Sequence, residues 1–296
     1  MVRANGRLQV VATPIGNLAD LSERARAALA AADVIAAEDT RHTGALLKAA
    51  GIATPLLSLH EHNEAQRAPE LLARMGSGQT VALVSDAGTP LLSDPGFELV
   101  RQAAQAGFEV SVIPGPSAIT AALAVAGLPT DRFCFEGFLS ARARERRTQL
   151  EALAQETRTL VFFEAPHRIV AALADFAAVL GARRPAVVAR ELTKVHETVY
   201  RGTLEELALR AQNEPNFARG ELTVVVQGAQ PAAPGIDSQR LRRTVEILAR
   251  ELPPGRAAAV AAQLTGVPRT TAYALLTGGA PGRADDAGSP DEEDGA

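Results

Sequence analysis

Residues Val84–Gly96 read VSDAGTPLLSDPG, with two aspartates, two glycines and two prolines in one connection after an apolar run. Glycine-rich turns that follow strands often cradle phosphate on backbone N–H groups. Asp86 and Asp94 would repel a phosphate, so this loop suits a ligand with hydroxyl groups or positive charge. Two further strand ends open into similar loops, TPIGN at Thr13–Asn17 and PGPSA at Pro114–Ala118. Any one of them reads equally well as a tight turn with a local Asp cap. Three together point to a site, because ligands of open α/β sheets bind outside the carboxyl ends of the strands. None carries GxGxxG or GK[ST], which disfavours a dinucleotide or a nucleoside triphosphate. S-adenosylmethionine has the required ribose hydroxyls, ammonium and sulfonium.

Other chemistry is weaker. His60-Glu61-His62 with His42 suggests zinc, but Cys134 stands alone and no HExxH or paired CxxC is present; no metal is expected. Gly115-Pro116-Ser117 lacks the GxSxG elbow of a serine hydrolase. Arg142, Arg144, Arg146 and Arg147 cluster against one Glu145, beside Phe133, Phe135 and Phe138. Such a cluster fits RNA phosphates, or else a solvated helix start. Ala257–Leu276 reads as a helix hairpin that could also touch RNA.

The elements that position these residues follow from length and pattern. The 296 residues suffice for two domains, and 47% hydrophobic with 22% charged residues is a globular mixture. A lone cysteine suits a reducing cytoplasm, and no apolar stretch is long enough to cross a bilayer. The net charge of −4 is dominated by six acids after Ala284, without which the body is +2. Lysine occurs only at Lys48 and Lys194, so the basic residues are almost all arginine, as a GC-rich genome would also give. LQVVA, VIAAE, LLSLH, VALVS and VSVIP are buried-strand runs, each followed by a turn and a helical pattern, which predicts a mainly parallel sheet. TLVFFE, AVVARE, ETVYRG and ELTVVVQG make a second α/β set. Leu241, Val245, Leu248 and Leu252 form a helical stripe, and the tail after Gly278 has a disorder-prone composition.

VATPIGNLADLSERA, AAEDTRHT, VSDAGTPLLSDPG, VIPGPSAITAAL, EGFL, FFEAPHRI, ARELTKVHE and GELTVVV together resemble the small-subunit ribosomal RNA methyltransferase I family, within the tetrapyrrole (corrin/porphyrin) methylase superfamily. The likeness runs from about Leu8 to Gly228. It implies an α/β, two-domain tetrapyrrole-methylase fold: a mainly parallel sheet in the N-terminal domain, a mixed sheet in the second, and a small C-terminal helical module. The divisions expected are 1–116, 117–228, a linker at 229–236, the module at 237–278 and an acidic tail at 279–296. The implied activity moves a methyl group from S-adenosylmethionine to the ribose 2′-hydroxyl of a cytidine in the decoding region of 16S ribosomal RNA, by a cytoplasmic homodimer.

The same resemblance places donor contacts at Thr13, Pro14 and Gly16, at Asp86, Ala87, Gly88 and Thr89, at Ser117 and Ala118, and at Phe163, Glu221 and Thr223. The first loop departs from the superfamily's GxGPGD, so its contacts are carried over by position. A sulfonium carbon is already activated, so the remaining needs are alignment and removal of the hydroxyl proton. Glu38, Asp39 and His42 are the candidate bases; alternatively they close the domain interface. Arg41, His167 and Arg168 are candidate holders of target-strand phosphates, extended by Arg142, Arg144, Arg146 and Arg147. Two rivals stay open: a porphyrin or corrin precursor C-methyltransferase, and a non-catalytic RNA-binding ribosome-assembly factor.

Overall fold

The computed structural model of the chain describes residues 6–230 and 238–277, divided between two compact units, Met1–Ala229 and Gln230–Ala296. The acidic tail and most of the expected linker lie outside the described residues.

In the first unit, β1 (Arg7–Val11), β2 (Val34–Ala37), β3 (Leu56–Ser58), β4 (Thr80–Val84) and β5 (Glu109–Ile113) form a wholly parallel sheet. Its strand order is β3-β2-β4-β1-β5. Side chains alternate with the period of two that strands impose. Leu8, Val10, Val34, Ala36, Val81 and Leu83 pack on α3 (Glu64–Gly76) and α4 (Phe97–Gln105). Val11, Ile35, Ala37, Ala82 and Val84 pack on α1 (Glu23–Ala31) and α2 (Thr40–Ala50). Both faces are covered, which is why these strands read as continuous apolar runs. The chain leaves β1 toward α1 on one face and β4 toward α4 on the other. These neighbouring strands therefore send their connections apart, and a crevice opens at their carboxyl ends.

The second sheet has the order β6-β7-β10-β8-β9. It contains β6 (Phe133–Phe138), β7 (Thr159–Glu164), β8 (Pro185–Arg190), β9 (Thr198–Thr203) and β10 (Leu222–Val226). Only the β6–β7 pair is parallel, so the sheet is mixed. One face is buried by α6 (Ala143–Leu153), α7 (Ile169–Leu180) and α8 (Leu204–Asn213). The other is buried by α5 (Ala118–Ala126), whose Ile119, Ala122 and Leu123 meet Val161, Val187 and Val225. Ile15, from the loop after β1, joins that same cluster and ties the two halves together. In the second unit α9 (Ser238–Glu251), α10 (Pro254–Thr265) and α11 (Arg269–Thr277) bury Leu241, Val245, Ala258, Ala261 and Ala272. No helix among the described residues is long and apolar enough to cross a membrane.

One arginine of the basic cluster is not on the surface. Arg146 is 3% exposed and donates from Nε and Nη2 to Asp175 Oδ2 at 2.8 and 2.5 Å. Its Nη1 donates to the carbonyls of Ser140 and Ala141. The pair clamps α6 to α7 and removes Arg146 from any phosphate track. Deleting one partner strands an uncompensated buried charge. Asp175→Ala should therefore cost about 3–5 kcal/mol in denaturant unfolding, whereas Arg142→Ala, at a surface pair, should change stability by less than about 1 kcal/mol.

Candidate functional site

The loops after β1 and β4 are stitched together by backbone. Thr13 N donates to Gly88 O at 2.9 Å, and Gly88 N donates back to Thr13 O at 3.1 Å. Gly88 takes a left-handed φ of +86°, and a Cβ there would lie 3.1 Å from Ile15 Cγ2. Thr89 Oγ1 then donates to Pro116 O at 3.0 Å, which fastens the third loop, the one that leads into α5. The three loops singled out from the sequence thus form one wall.

That wall and the second sheet enclose a cavity of 380 Å³, within the range of roughly 300–1,000 Å³ common for small-molecule sites. The first half contributes Ile15, Ala87–Thr89, Leu92–Asp94, Ser117 and Ala118. The second contributes Phe138, Phe163–Pro166, Ala189, Leu192 and Gly220–Thr223. Phe163 meets Phe135 edge-on at 4.8 Å and Phe138 at 5.5 Å, which makes an aromatic end suited to a flat ring. The lining includes Asp94, Glu164 and Glu221 and no Arg, Lys or His, although the Glu164 carboxylate is buried against Arg168. Such a chamber repels phosphate and accommodates an apolar, hydroxylated cation. The residues fit S-adenosylmethionine on that ground.

Of the expected donor contacts, Ala87, Gly88, Thr89, Ser117, Ala118, Phe163, Glu221 and Thr223 line the cavity. Four do not. Thr13 is fully buried, and its hydroxyl donates to Ser85 O and Gly88 O, so it braces the loop. Pro14 is half-buried outside the lining. Gly16 instead admits the alkyl chain of Lys194, since a Cβ there would lie 2.4 Å from Lys194 Cγ. Asp86 accepts from Asp39 N at 3.0 Å and ties the end of β4 to the end of β2. Leu92 and Glu164 escaped the sequence reading, Phe138 was read only as an aromatic beside the arginine cluster, and Asp94 was read as part of an acidic loop without being named a contact. A second aspartate in the same loop was the available signal for Asp94, but a turn-holding role explains such a residue equally well.

The candidate bases differ in character. Asp39 caps α2 and pairs with Arg41, whose guanidinium holds the carboxyl well below the usual range. His42 is exposed on α2. Burial, and then Asp86, pushes Glu38 upward. Asp94 goes up to about 6, through burial first and the Glu38 charge second. Glu164 is held by Arg168 at 2.5 Å, and Glu221 faces Lys194 at 3.1 Å. Asp94 is the lining carboxylate without a cationic partner among the described residues.

Outside the cavity, Arg41, Arg142 and Arg147 are exposed by 90%, 82% and 59% at their side chains, and Arg144 and His167 are exposed as well. Arg168 is not available to a phosphate, being 17% exposed and bound to Glu164 and to Leu139 O. His60 and His62 meet edge to face with ring centroids 6.0 Å apart, and among the described residues no group of three His, Cys, Asp or Glu is placed to hold a metal ion.

Solved structures of similar shape include uroporphyrin-III C-methyltransferase from Thermus thermophilus complexed with S-adenyl homocysteine. It has a TM-score of 0.52 and 21% identity, with coverage of 74% of this chain and 97% of that one. Diphthine synthase gives 0.57 at 19% identity, covering 74% and 90%. Residues 7–208 match the tetrapyrrole (corrin/porphyrin) methylase family model, and residues 235–278 match the RsmI C-terminal HTH domain. Fold and cavity are those of a methyltransferase of that class, which draws its methyl from S-adenosylmethionine. Within the class, the chain is similar to the ribosomal RNA small subunit methyltransferase I of Xylella fastidiosa (strain Temecula1), at 53% identity over 90% of this chain and 98% of that one. The corresponding protein of Escherichia coli O157:H7 is 48% identical over 91% and 94%. The chain belongs to the family of these proteins.

Gly88 offers a direct test of the pocket. Gly88→Ala meets both the left-handed penalty and the Ile15 contact, and should weaken binding of S-adenosylmethionine at least about tenfold by calorimetry. Gly107→Ala, at a φ of +78° with nothing within 4 Å, should leave that affinity unchanged.

Proposed function

We propose that the chain transfers the methyl of S-adenosylmethionine to the ribose 2′-hydroxyl of a cytidine in the decoding region of 16S ribosomal RNA. It would act in the cytoplasm, as a homodimer, on the small ribosomal subunit. The observation that carries this reading is the division of charge: a cavity lined by Asp94 and Glu221 with no Arg, Lys or His in its lining, and arginines on the surface outside it. The name shared by relatives at 46–53% identity supplies the substrate class, and the family resemblance supplies the 2′-oxygen, the cytidine and the dimer.

The donor brings an electrophilic methyl on a sulfonium and leaves as a neutral thioether. The protein's part is to exclude water, align the attacking oxygen and receive its proton. The Ala87–Thr89 turn, Ser117, Ala118, Phe163 and Thr223 would hold the donor, with Phe138 and Phe163 beside its flat ring. Arg41, Arg142, Arg144, Arg147 and His167 would hold target-strand phosphates. The helix pair α10–α11 would add a second RNA contact. The relatives named for ribosomal RNA favour that substrate over a macrocycle, and a pure binder gives no use for the cavity.

The reading is tested with labelled S-adenosylmethionine offered to small subunits from a strain lacking the enzyme, and separately to a porphyrin precursor. Label in one alkali-resistant cytidine is the expected outcome; label only in the macrocycle, or nowhere, overturns it. Replacing Arg142 and Arg144 together with Glu should weaken RNA binding about tenfold and lower its salt slope by about 1.5, while donor affinity stays the same.

A further inference from the structure

We infer that Lys194 is a positioning residue of the donor site: it clasps the loop after β1 to the start of β10 and so holds Leu192 and Glu221 in the cavity wall. The inference deepens the reading of the cavity as the S-adenosylmethionine site and rests on it.

Lys194 lies in the connection between β8 and β9. Its alkyl chain passes over Gly16, where a Cβ would lie 2.4 Å from Lys194 Cγ and 2.9 Å from Lys194 Cε. Its ammonium then reaches Glu191 Oε1 at 2.8 Å and Glu221 Oε2 at 3.1 Å. Glu191 Oε1 also accepts from Glu221 N at 2.9 Å, and Glu191 N donates to Glu221 O at 2.9 Å. Gly220 leaves room for that carboxylate, since a Cβ there would lie 2.3 Å from Glu191 Cδ. Gly16 from the first half and Gly220 from the second thus clear a path for a single Lys–Glu pair.

The pair backs the cavity without entering it. Ile15, next to Gly16, and Leu192, two residues before Lys194, belong to one apolar cluster, and both line the cavity. Gly220 and Glu221 line it too, whereas Lys194 does not. The backbone on either side of Leu192 is left-handed at residues that are not glycine, Glu191 at φ +53° and Thr193 at φ +67°. That turn sets Leu192 in the wall and Lys194 against Gly16. Lys194 N donates to Glu191 O at 3.0 Å, and Thr193 N donates to Glu197 Oε2 at 2.6 Å, which closes it.

Charge and exposure say what the clasp contributes. Burial works against ionisation of Glu191, and the Lys194 ammonium with the Glu221 N–H outweighs it, holding the carboxyl below its usual range. Glu221 is 72% exposed at its side chain and on its own would sample several rotamers. The ion pair removes that ordering cost from donor binding. A donor seated between the two halves and a clasp that joins them favour the same closed arrangement. Such coupling is reciprocal, so the donor must strengthen the clasp as the clasp strengthens the donor.

Lysine occurs only at Lys48 and Lys194, so the clasp can be read by mass spectrometry after brief acetylation of the full-length protein. Lys48, exposed on α2, is the internal reference. Saturating S-adenosylmethionine should slow acetylation of Lys194 at least about threefold and leave Lys48 unchanged. Lys194→Met keeps a chain over Gly16 and removes the ammonium. By calorimetry it should weaken S-adenosylmethionine about fivefold, and Lys194→Arg should recover most of that loss. S-adenosylhomocysteine, which lacks the sulfonium charge, should be weakened by the same factor, because position is lost rather than field. The Tm of Lys194→Met should stay within about 4 °C of the wild type, as for a partly exposed ion pair. Equal acetylation of Lys194 with and without donor, unchanged donor affinity in Lys194→Met, or an effect confined to the sulfonium form overturns the inference. A wild type that binds neither compound overturns the reading of the cavity itself, and that failure is seen in the wild-type arm alone.

Discussion

Thr13 and Gly88 exchange both backbone hydrogen bonds across the gap beyond two neighbouring parallel strands. Parallel strands have no reason to continue pairing there, because their connections leave on opposite faces of the sheet. The isolated antiparallel bridge works only because Gly88 can turn left-handed and bring its backbone against Ile15. Once it is made, Ser85 and Thr13 are buried beneath it, Thr89 reaches the third loop, and Asp86 reaches the end of β2. The cavity wall is therefore a property of backbone pairing, with side chains added to a frame already closed.

Charge is distributed about that frame in opposite senses. The interior keeps carboxylates and excludes cations, while arginines sit on the exterior of α6 and at the start of α2. The two regions have different physics. In the cavity, low local dielectric makes each unpaired carboxylate consequential. On the surface, salt screens each arginine, and its contribution to RNA binding comes through released counterions. Arg146 belongs to neither region, since its charge is consumed in joining two helices.

The parallel sheet was readable because strands covered on both faces are short apolar runs with turns between them. Edge strand β6 was not, because its residues are half-exposed, Glu136 and Gly137 interrupt it, and its register shifts between Phe135 and Phe138. The loops that build the site were equally plain. What their pattern left open is which member of a loop faces the ligand: Thr13 and Asp86 look like contacts, and both instead hold other loops. Arg146 had a local signal, since Arg146 and Leu150 share one stripe of α6 and Asp175 interrupts the apolar run IVAALADFAAVL. A charge within each of two facing apolar stripes is the pattern of a buried pair.

The loop between β4 and α4 carries features that folding alone would remove. Left-handed backbone at Leu91 and Ser93 costs of order 1–3 kcal/mol at each residue, and glycine or asparagine at either position would relieve it. Asp94, Glu38 and Asp86 repel one another, with His60 a lesser offset at Glu38 alone, and a neutral residue at any of the three would relieve that as well. Neither relief would disturb the hydrophobic clusters on the two faces of the sheet, which draw on Leu91 alone from these residues, and there only at the margin. The same left-handed backbone recurs at Glu191 and Thr193, on either side of the lining residue Leu192. The strain therefore borders the cavity from both halves and is absent from the core beside it, as a site retains it when its geometry matters more than its stability.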